Sequence, residues 1–392
     1  MNKILKFPNK FLWGSATSSY QVEGGIENCD WSKDFPAGNA CDHYRRYEED
    51  FNLLKKLNQN AYRFSIEWSR IEPNEGKFDK KEIEHYRKML LSLKKKEIIS
   101  FVSLWHWTTP LWLSKKGGWA NNKVIDYFAR YTKIIAEELG DLIDFWITIN
   151  EPTVPFIPGY LYFGYFKGFW PPKKRNIFLA LRAYKNFIKA HKKSYQIIHN
   201  FNKKARVGVA LDCAYIEPYN RKSLLNQMSV FIWRYLHNHL FFDLTKKYQD
   251  FLGINYYFHD RLKFPFSPRN ENKIVSDLGW EIYPEGIYFV LKEMKKYQKP
   301  IYITENGIAD AKDKLRKNFI KDHLYWIHRA IEEGVDVRGY LYWSLMDNYE
   351  WGGGFKPRFG LIEIDYEKNL ERKIKQSAYY YAKICKENIL LQ

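Results

Sequence analysis

The chain has 392 residues, 45% of them hydrophobic and 18% aromatic, enough apolar surface for one large barrel or two ordinary domains and too much for a disordered chain. Four scattered cysteines (Cys29, Cys41, Cys213, Cys385) form no CxxC pair and no Cys/His cluster at metal spacing, so reduced thiols in a cytoplasmic protein are expected rather than a disulfide framework or a metal site. A net charge of +18 raises the question of an anionic partner, but no apolar stretch approaches the ~20 residues that span a bilayer and the first ten residues lack the core of an export signal, so no membrane partner is expected.

Short apolar, β-branched runs alternate with helical patterns along the chain. The runs read as strands are Phe11–Gly14, Ala61–Ile66, Ile98–Leu104, Asp144–Asn150, Arg206–Asp212, Phe251–Asn255, Pro300–Glu305 and Val337–Trp343. Between them, helices are expected over Tyr44–Leu57, Lys80–Lys95, Val124–Leu139, Ile177–His199, Pro284–Tyr297 and Lys317–Glu333. No linker, repeat or low-complexity tract divides this series. Eight strands interleaved with helices predict an α/β fold, a single (β/α)8 TIM barrel over residues 1–392. An open doubly wound sheet is disfavoured because the first strand lacks a GxGxxG turn.

Polar and aromatic side chains gather at the ends of these runs: Gln21, Trp68, His106 with Trp107, Asn150 with Glu151, Asp212, Asn255 with Tyr257, Glu305 with Asn306, and Trp343. In a barrel of this kind the strand C-termini form the mouth where catalytic groups collect. Glu151 and Glu305 each close an apolar strand, where a carboxylate is costly inside a core and useful at its mouth. Two carboxylates facing one another across such a mouth are the equipment of glycosidic bond cleavage. Arg63, within Tyr62-Arg-Phe-Ser-Ile, needs a partner in so apolar a strand, and a carboxylate beside it would stay ionised. That Arg63 makes only a structural ion pair is an equally open reading at this point. Tyr257 offers a hydroxyl to the same carboxylate, or is a core tyrosine. Sugar hydroxyls would be met by Gln21, His106, Asn150, Asn255 and Glu350, and sugar C–H faces by Trp107, Trp343, Trp351 and Phe359.

From Pro152 through Leu211 there is no Asp or Glu, and twelve Lys and Arg fall in that window. Arg182, Lys185, Lys189 and Lys192 or Lys193 recur at helical spacing, with Ile177, Leu181, Tyr184, Ile188, Tyr195 and Ile198 marking the expected packed face. Such a stripe is more often a solvated face than a nucleic-acid site.

The segments FLWGSATSSYQVEGG, CDHYRRYEED, YRFSIEWSRIEP, HW at 106–107, TINEP, FLGINYY, ITENG, YWSLMDNYEW and RFGLIEIDY together resemble the family-one glycoside hydrolases, the retaining β-glucosidases and β-galactosidases, from Phe11 to about Tyr366. The resemblance implies exo-acting hydrolysis of terminal β-glycosides through a covalent glycosyl-enzyme. It implies Glu151 as acid/base, Glu305 as nucleophile held by Arg63 and Tyr257, and Gln21, His106, Trp107, Asn150, Asn255, Trp343, Glu350 and Trp351 lining the sugar pocket, with Phe359 as outer wall. Small β-glycosides are the implied partners, and no cofactor or metal is implied. The chain departs from the family by being short between Trp31 and Cys41, Asp212 and Phe251, and Tyr257 and Trp280, so a more open aglycone side is expected. Glu350 would repel a phosphate, which disfavours a 6-phospho-β-glycosidase, although Lys356 and Arg358 lie nearby. A transglycosylase, or a non-catalytic sugar- or nucleic-acid-binding barrel, are the remaining alternatives.

Overall fold

The computed structural model describes residues 4–161 and 170–392. The part of the acid-free segment at 162–169 and the first three residues lie outside it. Eight parallel strands close into a barrel: β1 Leu12–Ala16, β2 Ala61–Ser65, β3 Ile99–Ser103, β4 Phe145–Asn150, β5 Arg206–Asp212, β6 Leu252–Asn255, β7 Ile301–Asn306 and β8 Val337–Trp343, with β8 pairing back onto β1. All eight expected strands are these. The principal helices are α1 His43–Lys56, α2 Lys80–Lys95, α3 Val124–Leu139, α4 Ile177–Phe201, α5 Leu224–Arg234, α6 Leu240–Thr245, α7 Glu285–Met294 and α8 Arg316–Glu332. The sequence reading did not anticipate α5, α6 or a side sheet of Tyr215–Pro218, His259–Lys263 and Ser267–Pro268, which fill two of the stretches read as shortened loops.

Alternation along the strands sorts side chains between two cores. Tyr62 and Phe64 of β2 point outward into the layer between strands and helices, while Ala61 points inward with Phe101, Phe145, Ile147, Phe251 and Tyr302. Phe101 and Phe145 stack with centroids 4.1 Å apart, and Tyr302 stands edge-on to Phe145 at 5.0 Å. This aromatic plug fills the barrel and forms the floor on which the mouth is built.

On β4 and β7 the alternation breaks. Phe145 and Ile147 face the interior and Ile149 packs in the outer layer, yet Asn150 reaches the mouth, and the pairing with β5 shifts register between Ile147 and Asn150. On β7 the register with β6 shifts between Ile303 and Glu305. A bulge re-aims the side chains beyond it, so both strands deliver polar residues that strict alternation would turn away. Gly307, after β7, has no room for a side chain: a Cβ there would lie 1.7 Å from the Trp343 carbonyl oxygen.

The expected packed face of α4 holds in part: Tyr184, Ile188 and Tyr195 pack against the core and Ile198 is buried within it. Ile177 and Leu181 are exposed, and the buried residues are Ala180, Ala183, Asn186, Phe187, Ala190, His191, Ser194 and Ile198. Small side chains let α4 approach α3 closely, near enough for Ser194 Oγ and Thr132 Oγ1 to sit 2.9 Å apart, and the bulkier residues are displaced to the flanks. The basic stripe does face outward, and Lys193 pairs with Asp126 at 2.7 Å.

The plug makes a quantitative expectation. Phe145→Ala should lower the unfolding free energy by about 3–5 kcal/mol in denaturant titrations, whereas Phe178→Ala, at a site 77% exposed, should change it by less than ~0.5 kcal/mol. Equal effects would show that the barrel interior does not carry the core.

Candidate active site

Arg63 is fully buried on β2. Its Nη1 donates to Glu305 Oε1 at 2.5 Å and to the Thr304 carbonyl at 3.2 Å, its Nη2 to Asn150 Oδ1 at 2.6 Å, and its Nε to Ser103 Oγ at 3.2 Å. One guanidinium therefore ties β2, β3, β4 and β7 together at the mouth. Tyr257, just past β6, donates its hydroxyl to the other oxygen of Glu305 at 2.9 Å. Asn255 Nδ2 donates to Glu151 Oε1 at 2.7 Å and to Asn150 Oδ1 at 3.2 Å, and its own Oδ1 accepts from Thr304 Oγ1 at 2.6 Å.

The two carboxyls sit in different surroundings. Glu305 receives charge-assisted bonds from Arg63 and Tyr257; among the described residues Glu151 receives one neutral amide. Burial pushes the Glu151 carboxyl well above the carboxylate range, and the charges of Glu305 and Asp212 push the same way. Burial also raises Glu305, but Arg63 and the Tyr257 hydroxyl oppose it. Of the pair, Glu151 is the one that keeps its proton, because donors aimed at a carboxylate favour its charged form. Glu151 adopts φ 44°, and its amide donates to the Ala210 carbonyl at 2.8 Å. Trp107 (φ 72°) and Trp351 (φ 48°) are also left-handed. Such conformations cost about 1–3 kcal/mol each and persist where the surroundings hold them.

A second group adjoins this pair. Gln21 follows β1 and donates through Nε2 to Glu350 Oε2 and Asn348 Oδ1, both at 3.1 Å, while accepting from Ser18 Oγ at 2.7 Å. Burial, then the charge of Glu305, pushes Glu350 up to about 8. The imidazole of His106 lies nearly parallel to Trp343 at 5.9 Å and to Trp351 at 6.1 Å, and Trp107 packs on Trp351 at 4.7 Å. Phe359 shares a buried cluster with Trp343 and stands edge-on to Tyr257 at 6.4 Å.

The structure thus brings together the residues expected to catalyse or to line the pocket, whereas two others marked at strand ends turn away: Trp68 stacks on Tyr131 at 5.1 Å in the outer layer, and Asn306 donates to the Tyr256 carbonyl and accepts from the Tyr340 hydroxyl. Sequence reasoning gave no role to Asp212, which is buried at the end of β5 with His237 Nε2 3.5 Å away, although its place at a strand end marked it. It also missed Asn348, which lies inside a motif already singled out, and Trp31, whose ring backs Trp351 at 4.5 Å. Trp31 borders a segment read only as a shortened loop.

The network fixes one proton. Asn150 Oδ1 accepts from Arg63 and Asn255, so its Nδ2 faces His106 Nε2 at 3.1 Å as a donor. Nε2 must accept, and Nδ1, which has no partner among the described residues, carries the hydrogen and is available to a ligand oxygen. Burial and the nearby Arg63 charge hold the His106 pKa well below the usual histidine value. Nitrogen-15 NMR of the free protein should therefore show a neutral Nδ1–H tautomer throughout pH 5–8; a titration centred near the ordinary ~6.5 would contradict this geometry.

Comparison with known proteins places this constellation. The family model described as glycosyl hydrolase family 1 matches residues 4–247 and 243–390. Beta-glucosidase A of Thermotoga maritima is 36% identical over 446 aligned positions, covering 98% of this chain and 99% of that protein. The beta-galactosidase of Pyrococcus woesei is 32% identical over 480 positions, covering 92% and 93%. Among solved structures, the beta-glycosidase from Pyrococcus horikoshii superposes with a TM-score of 0.92 at 38% identity, covering 99% of this chain and 96% of that one. The Thermotoga maritima beta-glucosidase in complex with glucoimidazole gives 0.90 at 34% identity, covering 98% and 99%. Aligned spans longer than the 392 residues of this chain mark it as a short member. The chain belongs to glycosyl hydrolase family 1.

Proposed function

We propose that this protein is a retaining, exo-acting β-glycosidase of the β-glucosidase or β-galactosidase type, acting on small β-glycosides as one catalytic domain. The observation that carries the reading is the unequal pair at the barrel mouth: Glu305 bound by Arg63 and Tyr257, and Glu151 bound, among the described residues, by Asn255 alone. Glu305 attacks the anomeric carbon while Glu151 passes its proton to the departing oxygen, leaving a glycosyl ester on Glu305 and a carboxylate on Glu151. Esterification removes the negative charge that helped hold the Glu151 proton, so its pKa falls and it becomes a base. Glu151 then takes a proton from water as the water oxygen attacks the anomeric carbon, and Glu305 departs as carboxylate. The sugar's hydroxyls are met by Gln21, Glu350, His106, Asn150 and Asn255, and its C–H surfaces by Trp343, Trp351, Trp107 and Phe359.

The alternatives have less support. Arg358 is committed elsewhere, with its guanidinium 4.7 Å over the Tyr366 ring and 3.6 Å from Asp347. A sugar phosphate would therefore meet Glu350 without that counter-charge. The short span relative to the curated relatives supports a more open aglycone side. Buried, unpaired cysteines support a cytoplasmic location.

Three outcomes test this reading. Glu305→Ala should abolish turnover of every glycoside. Glu151→Ala should slow glycosylation by alkyl glycosides about 10²–10⁴-fold and leave dinitrophenyl glycosides, whose leaving group needs no proton, far less affected; equal slowing of both would remove Glu151 from the acid role. The kcat/KM profile should be a bell displaced above the ordinary carboxyl range. Its acid limb falls as Glu305 gains a proton and its alkaline limb as Glu151 loses one, because burial raises both groups. A plateau extending down to pH ~4 would contradict that electrostatic picture.

A further inference from the structure

We infer that the outward face of the segment Leu224–Thr245 docks this protein on an anionic phospholipid surface. The segment comprises α5, a π-turn at Tyr235–His239, and α6; α6 buries Phe241 and Phe242 in the ordinary way, but the amphipathicity of α5 and the turn is inverted. The side chains that α5 and the turn bury are mostly polar: Asn226, Ser229, Val230, Asn238 and His239. They are spent on backbone groups, with Asn238 bonding both the amide and the carbonyl of Ala214 and Asn226 accepting from the Phe264 amide at 3.0 Å. Turned outward instead are Leu224, Leu225, Met228, Phe231, Ile232 and Tyr235, with Leu224 78% and Phe231 76% exposed. Their spacing of three and four residues makes one continuous apolar stripe. The neighbouring side sheet widens it: exposed Phe264 and Phe266 flank it, with the Phe266 ring 5.8 Å from that of Trp233. Contiguous exposed apolar surface of this kind on a monomer marks an interaction site.

Charge selects the partner. From Tyr219 through Lys247 there are five cations (Arg221, Lys222, Arg234, Lys246 and Lys247) and one acid, Asp243, which accepts a hydrogen bond from the Tyr297 hydroxyl at 2.8 Å; Arg221 pairs with Glu217 at 3.0 Å and Arg234 with Glu293 at 3.2 Å, so the exposed Lys222, Lys246 and Lys247 carry the charge of the rim. A cleft of about 330 Å³ brings Lys296 and the Arg234–Glu293 pair to the same face as Phe231 and Tyr235. A second copy of the chain would set one cationic rim against another. An anionic bilayer offers apolar depth for the stripe and negative headgroups for the rim. Among the described residues no helix is long and apolar enough to cross a membrane, so the attachment is peripheral. This amends the expectation of no membrane partner, which rested on the lack of a spanning segment.

The test is co-sedimentation of the full-length protein with phosphatidylcholine vesicles, with and without phosphatidylglycerol. Binding to the anionic vesicles should exceed binding to the neutral ones about tenfold at low salt and weaken as salt rises. The double variant L224S/F231S should lose about tenfold in the bound fraction, and K222Q/K246Q/K247Q should lose binding to anionic vesicles specifically. Both should retain wild-type turnover of a soluble nitrophenyl glycoside, which reports an intact fold. Equal, weak binding to both vesicle types would overturn the proposal, as would undiminished binding by L224S/F231S. A dimer in sedimentation velocity that L224S/F231S dissociates, without vesicle binding by the wild type, would assign the face to a second copy and overturn it likewise.

Discussion

A guanidinium buried inside a barrel is the constraint around which this molecule is arranged. Removing Arg63 from water costs several kcal/mol, and the cost is offset only because its donors find acceptors on three other strands: Ser103, Asn150, and Glu305 with the Thr304 carbonyl. Two of those acceptors, Asn150 and Glu305, are among the groups that would bind and cleave a glycoside. The ion pair that permits a charge in the core also makes the two carboxylates chemically unequal, since Arg63 bonds Glu305 directly and reaches Glu151 only by its field. Below it the aromatic plug keeps the position dry; above it Asn150 relays the arrangement to His106 and Asn255.

The path from sequence to site was legible where apolar patterning decides structure. Strands such as Val337–Trp343 and Arg206–Asp212, and helices such as Lys80–Lys95 and Val124–Leu139, fall where composition puts them, because buried parallel strands and amphipathic helices leave distinct periodicities. Polar residues at strand ends, read as a mouth, are gathered there in two adjoining groups, one around Arg63 and one around Gln21 and Glu350. What the periodicities do not encode is register and backbone sign. The shifts before Asn150 and Glu305, and the left-handed conformations of Trp107, Glu151 and Trp351, depend on tertiary contacts that no local window contains. The face of α4 was legible only in part for a related reason: alanines that allow close packing against α3 carry less hydrophobic weight than Ile177 and Leu181 at its flank, yet they are buried and those two are not.

Three left-handed residues, Trp107, Glu151 and Trp351, and the register shifts before Asn150 and Glu305 lie at the mouth. Left-handed residues and register shifts cost stability and are sustained here by a rigid frame of paired strands. The departure in α5 is of another kind, since its apolar side chains face outward in a helix far from needing them for the core. Both features break the agreement between local pattern and global fold in places where the molecule meets something else.

That Arg63 makes Glu305, and not Glu151, the attacking carboxylate is the claim on which this account turns. Incubation with a 2-deoxy-2-fluoro glycoside bearing a good leaving group should trap the glycosyl ester, and mass spectrometry of the digested protein locates it. The account predicts one sugar per chain, attached to the peptide containing Glu305, with Glu151 unmodified. A sugar on Glu151, or turnover of good substrates with no ester formed under these conditions, would contradict it.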